Sequence, residues 1–410
     1  MRLYIDPGTG SMLFTILIGL IGAGVYSLRM IVIKIRFRLS GGKAEENTNK
    51  IPFVIFSDNK RYWVNFEPIC RELDKRGQDV VYMTASADDP VLQNPYPHIH
   101  GEFIGDGNKA FARLNFLNAT VVLSTTPGLD VYQWKRSKDV DFYVHIAHAA
   151  NDITLYRMFG LDYYDAVLLS GEYQGSEIRG LESLRGLPAK ELEIVGIPYM
   201  DEMAKRLQSA PALPPHEKTV LLAPSWGPSA IFGVYGGEIL DVLLKTDYHI
   251  IVRPHPQSFT SEKEMLEKLM EQYPDCDRLE WNRDTDNFEV LRRSDILISD
   301  FSGVIFEFSC VFDKPVIYTD PRFDTSPYDA WWLKEPLWTV NALPRIGSQL
   351  TRENMENLGG LLDTCLTDPR YAQGRQEVKA ETWEHPGEGA ARAAEYLLNK
   401  YNELTSKEGK

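Results

Sequence analysis

The chain has 410 residues, of which 43% are hydrophobic and 11% aromatic, enough to bury a sizeable core and long enough for two domains. Its formal net charge of −14 excludes a nucleic-acid binder that works through a basic surface. Four scattered cysteines, Cys70, Cys276, Cys310 and Cys365, form no CxxC pair, which fits a reducing compartment and offers no zinc framework.

The amino terminus stands apart from this soluble composition. Residues 1–11 carry the turn-rich "YIDPGTGS". Met12 to Leu28 follow as an uncharged run, "MLFTILIGLIGAGVYSL", and after Arg29 the apolar character resumes in "MIVIKI". A helix over 12–33 is about 33 Å long, close to the hydrocarbon thickness of a bilayer. No small-residue cleavage site follows, so a retained single anchor is expected rather than a signal peptide. Lys34, Arg36, Arg38 and Lys43 lie on its carboxyl side, in a basic and polar linker over 34–50, and predict a cytoplasmic body.

From residue 51 short β-branched runs alternate with amphipathic stretches. Strands are predicted at 51–57, 79–84, 119–125, 141–147, 165–171 and 192–196, then, after the proline-rich "SAPALPPHEK", at 219–225, 249–254, 295–300 and 315–320. Alternation of this kind predicts βαβ units in two mainly parallel sheets. The expected domains are 51–210 and 211–345, followed by carboxyl-terminal helices over 346–410. Ligands of such sheets bind in the crevice at the carboxyl ends of strands.

The polar candidates fall at those strand ends. "HIIVRPHPQSF" stops a β-branched run at Arg253 and His255, each next to a proline that restricts its backbone. A held cation beside an imidazole suits an anionic substrate. In "SDFSGVIFEFSCVF", Asp300 and Ser302 precede Gly303 and a helix expected from Val304 to Phe312, apolar on nearly all sides. The start of that helix offers free N–H groups and a positive dipole end to an anion. Plain N-capping is the competing explanation for Asp300 and Ser302. Glu307, a carboxylate inside an apolar helix, needs a partner, either ribose hydroxyls or a core-facing arginine. In the amino-terminal half the strand ends carry "HIAHAAND" and "SGEYQGS". His145, His148 and Asp152 have a weak metal-like spacing, but a strand points the two histidines apart. "DAWWL" at 329–333 reads as base-stacking or, more commonly, as aromatic core.

The ordered set "APSW", "RPHP" and "SDILISDFSGVIFEF…KPVIY", over roughly residues 140–345, resembles the CDP-glycerol glycerophosphotransferase family of teichoic-acid and capsule enzymes. The resemblance implies an α/β fold with two Rossmann-like domains in a GT-B arrangement, here preceded by one amino-terminal transmembrane helix. It implies transfer of a polyol phosphate, glycerol phosphate first, from a CDP-alcohol to a membrane-linked or glycan acceptor, with release of CMP. No cofactor is implied, and a divalent cation is left open. Carried over residue by residue, it makes His255 and His148 catalytic and puts Arg253, Ser302, Gly303, Glu307, Asp300 and Ser225 at the substrate. His148 is the base and His255 the phosphate stabiliser. The chain departs from the family pattern at Ala149, where a glycine follows the histidine, at Gly227, often arginine, and at Glu307, commonly aspartate. A GT-B glycosyltransferase using a nucleotide sugar is the alternative.

Overall fold

The computed structural model describes residues 50–300, 302–320 and 324–408. The anchor expected at 12–33, with its flanks, lies outside them, and among the described residues no helix is long and apolar enough to cross a membrane.

Residues 51–410 form one compact unit built on two sheets. The first contains β1 (Ile51–Ser57), β2 (Val80–Thr84), β3 (Ile99–Phe103), β4 (Ala119–Ser124), β5 (Val140–Ile146), β6 (Ala166–Leu169) and β7 (Glu191–Ile194). Its spatial order is β3-β2-β1-β4-β5-β6-β7. The second contains β8 (Thr219–Ala223), β9 (His249–Val252), β10 (Leu279–Trp281), β11 (Ile296–Ser299), β12 (Val316–Tyr318) and β13 (Gly347–Gln349), in the order β10-β9-β8-β11-β12-β13. Every strand pair in both sheets is parallel. The two-sheet α/β architecture is therefore the one expected. Central strands such as β4, β8 and β11 are buried along their whole length, which is why they read as unbroken apolar runs.

In each sheet the order reverses once, between β1 and β4 and between β8 and β11. At such switch points the connections leave in opposite directions and open a crevice at the strands' carboxyl ends. Asp58 and Thr125 follow β1 and β4, while Ser225 and Asp300 follow β8 and β11.

The carboxyl-terminal helices divide between the sheets. Leu358, Leu362 and Cys365 of helix Leu358–Thr367 pack with β9 and β11 residues, and Val378 of helix Pro369–Thr382 packs with Phe306 and Phe308. The last helix, Gly389–Glu408, returns to the first sheet and buries Ala393, Ala394 and Leu397 beside Phe53, Phe66 and Ile69. At the crossing, Asp201 accepts hydrogen bonds from Trp383 Nε1 (2.9 Å) and from the N–H groups of Gly387 (2.7 Å) and Gly389 (2.9 Å). Gly196, at φ +88°, permits the approach, since a Cβ there would lie 2.3 Å from the Glu384 carbonyl oxygen.

Two local expectations change. The helix after Gly303 is not uniform: Val304–Phe306 forms one α-turn, and Glu307–Val311 continues as a π-turn, a form that recurs at functional positions. Its apolar side is buried as anticipated, at Ile305, Phe306, Phe308 and Cys310. Trp331 and Trp332 are not core, being 62% and 41% exposed. Asp329 beside them is buried and holds the N–H groups of Phe159 (2.7 Å) and Gly160 (3.1 Å), so "DAWWL" braces a neighbouring loop.

Candidate active site

The second-lobe half of the site is assembled by hydrogen bonds between strand-end loops. The carboxylate of Asp300 is buried and accepts the N–H of Ser225 with both oxygens (3.1 and 3.0 Å) and that of Ile231 (3.1 Å). It therefore shapes the "APSW" loop from within. The N–H of Gly227 donates to Glu262 (2.9 Å), and the N–H of His255 donates to the Pro224 carbonyl (3.2 Å), so "APSW" and "RPHP" are tied together. Ser302 is partly exposed, and its carbonyl accepts the N–H of Ile305 (3.2 Å) at the start of the helix.

Arg253 and Glu307 belong to one polar cluster. Arg253 Nη1 donates to Asn282 Oδ1. Burial makes its guanidinium less basic, and Asp284, Asp286, Tyr199 and Glu307 act in the opposite sense. Asn287 Nδ2 donates to Glu307 Oε2 (2.9 Å), and Tyr199 Oη donates to Asn287 Oδ1 (3.2 Å). Burial raises the Glu307 carboxyl to about 7, against the lowering effect of Asn287 and Arg253. Lys314, the lysine of "KPVIY", is engaged by backbone carbonyls. Its ammonium donates to the carbonyls of Leu291 (3.3 Å), Arg292 (2.6 Å) and Ser294 (2.5 Å) at a helix end, and burial lowers it to about 8.

The first-lobe half centres on His148. Its Nδ1 lies 2.7 Å from Thr125 Oγ1, which also contacts the Ile146 carbonyl oxygen at 2.9 Å. The Tyr62 ring stands edge-on to the imidazole, with ring centres 5.0 Å apart. Arg61 lies over the Tyr62 ring at 4.8 Å. Burial, and then the Arg61 charge, push His148 down to about 4. The same two causes, in the same order, lower His255, with Glu262 opposing them. One guanidinium thus acts on both imidazoles.

The lobes touch beside these groups. A Cβ placed on Gly303 would lie 3.3 Å from Asn151 Oδ1 and 3.7 Å from the Ala149 Cβ, so a larger residue would press the "SDFSG" loop against "HAAND". Gln174 Nε2 (2.9 Å) and Tyr173 Oη (3.2 Å) both donate to the Asn151 carbonyl, which accounts for "SGEYQGS" as a brace.

The metal-like trio is not brought together. His145 is fully buried, with Nε2 3.1 Å from Tyr156 Oη, and burial drives its pKa far down. Asp152 is buried and occupied by the N–H groups of Trp338 and Thr339. Neither is placed to act as a substitute base for His148.

The histidine contacts fix hydrogen positions. The N–H of Gln257 donates to His255 Nδ1 (3.1 Å), which must accept, so a neutral His255 carries its hydrogen on Nε2. That makes His255 a donor toward an oxygen in the cleft. Strand-end residues that the motif reading passed over, Asp58, Arg61, Tyr62 and Thr125, complete the arrangement. Their signal was available, because "DNKRY" and "TT" follow β1 and β4 at the switch point.

A family model described as CDP-glycerol:poly(glycerophosphate) glycerophosphotransferase matches residues 175–381, half of the chain. The chain belongs to this family. It is thus an enzyme of the CDP-glycerol glycerophosphotransferase type. In fold it is similar to the wall teichoic acid polymerase TagF, seen as a histidine-to-asparagine variant soaked with CDPG. The TM-score is 0.56 at 14% identity, over 93% of this chain and 99% of that one. It is also similar to the UDP-GlcNAc 2-epimerase of Methanocaldococcus jannaschii (TM-score 0.54, 15% identity, 86% of this chain and 100% of that one). MnaA of S. aureus, solved with UDP, gives 0.55 at 12% identity, over 86% and 98%. At these identities the likeness shows the fold, two parallel-sheet α/β domains of the GT-B kind. No curated protein matches the chain in sequence.

Proposed function

We propose that this family member transfers a polyol phosphate, glycerol phosphate first among them, from a CDP-alcohol to a membrane-linked or glycan acceptor in cell-wall or capsule polymer synthesis. The acceptor hydroxyl oxygen attacks the β-phosphorus of the donor. Its proton passes to His148 Nε2, the phosphorus–oxygen bond to CMP breaks, and CMP leaves. The Nε2–H of His255 donates to a phosphate oxygen while negative charge develops there. Ser302 and the free N–H groups at Gly303 and Val304 hold the diphosphate, with Arg253 supporting. Glu307 takes the ribose hydroxyls. Phosphoryl transfer asks mainly for positioning and charge neutralisation, and two imidazoles with the Arg61 guanidinium supply both without a redox or covalent intermediate.

The observation that carries this reading is the pair of strand-end histidines, His148 and His255, both made less basic by burial and then by the charge of the same Arg61. The basic flank of residues 12–33 supports a single anchor with the body in the cytoplasm, where activated nucleotides are made.

Purified full-length protein assayed for CMP release with CDP-glycerol, CDP-ribitol and nucleotide sugars tests the proposal. CMP formation dependent on a CDP-alcohol is expected. Turnover of a nucleotide sugar alone would favour the glycosyltransferase alternative. A reporter fused to the carboxyl terminus should read as cytoplasmic, and an exterior readout would overturn the orientation.

A further inference from the structure

We propose that Thr125 is a positioning residue that fixes the tautomer of His148, placing the imidazole hydrogen on Nδ1 and leaving Nε2 as the lone pair that receives the acceptor's proton. The inference deepens the reading of His148 as base and rests on it.

Thr125 is buried at the carboxyl end of β4, at the switch point of the first sheet. Its Oγ1 lies 2.9 Å from the Ile146 carbonyl oxygen and 2.7 Å from His148 Nδ1, and the Tyr156 hydroxyl also reaches it. A hydroxyl has one hydrogen to give and two lone pairs that accept, whereas a carbonyl oxygen can only accept. If Thr125 gave its hydrogen to His148, its oxygen would face the Ile146 oxygen across 2.9 Å in a buried site with nothing between them. Buried polar atoms left unpaired in this way are costly. The arrangement that satisfies all three groups runs in one direction, from His148 Nδ1–H to Thr125 Oγ1 and from Thr125 Oγ1–H to the Ile146 oxygen. His148 Nε2 then has no hydrogen.

The rest of the surroundings hold the ring without competing for Nδ1. Tyr62 stands edge-on to it, and Tyr156 lies tilted with ring centres 6.4 Å apart. Tyr156 Oη meets His145 Nε2 and the Thr125 hydroxyl, which has a second lone pair to offer it. Arg61 is the cation that faces His148, and the neighbouring His145 is held neutral by burial. Asp58 accepts the Thr126 hydroxyl (3.0 Å), and its charge acts on Tyr62 and Tyr156. His255 has the opposite tautomer, with Nδ1 accepting from the Gln257 N–H. The two imidazoles are thereby given different roles before any substrate arrives: one presents a lone pair, the other a hydrogen. A free imidazole populates both tautomers, so a hydroxyl that selects one raises the share of competent enzyme.

The test combines nitrogen NMR with kinetics on the full chain. Selective 15N-histidine labelling observes the eight histidines, and His148→Ala assigns the signal. In the wild type at neutral pH we expect His148 with a protonated Nδ1 and a bare Nε2. Thr125→Val keeps the shape and removes the hydroxyl. It should move His148 toward the Nε2–H form and lower kcat about tenfold or more, part of the roughly 10²–10⁴ that a positioned base supplies. The donor KM should hardly change. Thr125→Ser should restore both the NMR pattern and most of the rate. A wild-type spectrum with the hydrogen on Nε2 overturns the proposal whatever the kinetics, and it does not depend on the variants folding. A folded Thr125→Val with wild-type kcat also overturns it. Full activity in His148→Ala would instead remove the base assignment while the tautomer remained as observed.

Discussion

Asp152, from the loop after β5, accepts the backbone N–H groups of Trp338 and of Thr339 (3.1 Å), so a first-lobe carboxylate caps the helix Trp338–Ile346. The Thr339 hydroxyl joins the same carboxylate. A helix start leaves N–H groups without intrahelical partners, and here the partner arrives from across the chain. Asp152→Ala should destabilise the fold by about 1–3 kcal/mol, the cost of leaving such groups unpaired. It should also alter kcat and KM together, because the loop it anchors begins at His148. Urea unfolding and steady-state kinetics measure both. Wild-type stability in the variant would show that the cap carries no weight.

The Glu307 carboxyl gives the donor site a pH dependence. Burial raises it to about 7, so the protonated form prevails below that value and the carboxylate above it. If the carboxylate accepts the ribose hydroxyls, donor affinity should weaken as pH falls from about 8 to about 6, and at the low end binding should release one proton from Glu307. Glu307→Gln should flatten that dependence. Calorimetric titration with CDP-glycerol across this range checks it, and an equally steep dependence in the variant would move the titrating group elsewhere.

Ser302→Ala and Arg253→Ala should each weaken donor binding by roughly 1.5–3 kcal/mol, the value of a hydrogen bond to a charged group, while the fold survives. The Arg253 variant tests a specific tension, since its guanidinium is already engaged by Asn282. Unchanged affinity in both variants would rule out this placement of the diphosphate. His255→Ala should slow turnover and weaken donor binding together. Pro254→Ala and Pro256→Ala should give milder versions, because only the restraint on the loop is lost.

Much of this was legible in the chain. The inner strands announce themselves because parallel strands covered on both faces need continuous apolar runs, as in "ATVVLS" and "ILIS". β3, β10 and β13 were missed because they are edge strands of three to five residues, and "IHGEF", "LEW" and "GSQ" carry no such run. The second-lobe motifs could be found because each is contiguous. The first-lobe site is not. Thr125 lies 23 positions from His148 and Arg61 follows a different strand, so only the sheet order brings them to one crevice. Asp300 shows the limit in the other direction. Its sequence position fits a ligand contact, but the folded chain uses it to hold the Ser225 and Ile231 amides.

The most direct test is single-turnover transfer from CDP-glycerol by His148→Ala, with donor affinity measured on the same preparation. His148 is held at about 4 in the free enzyme, so its base form is present above that pH and activity is lost as pH falls through it. The account predicts a donor Kd close to wild type, a rate of CMP release lowered by about 10²–10⁴, and loss of that acid limb from the residual activity. Wild-type rates with an unchanged acid limb would contradict it, because His145 and Asp152 are both committed to the interior.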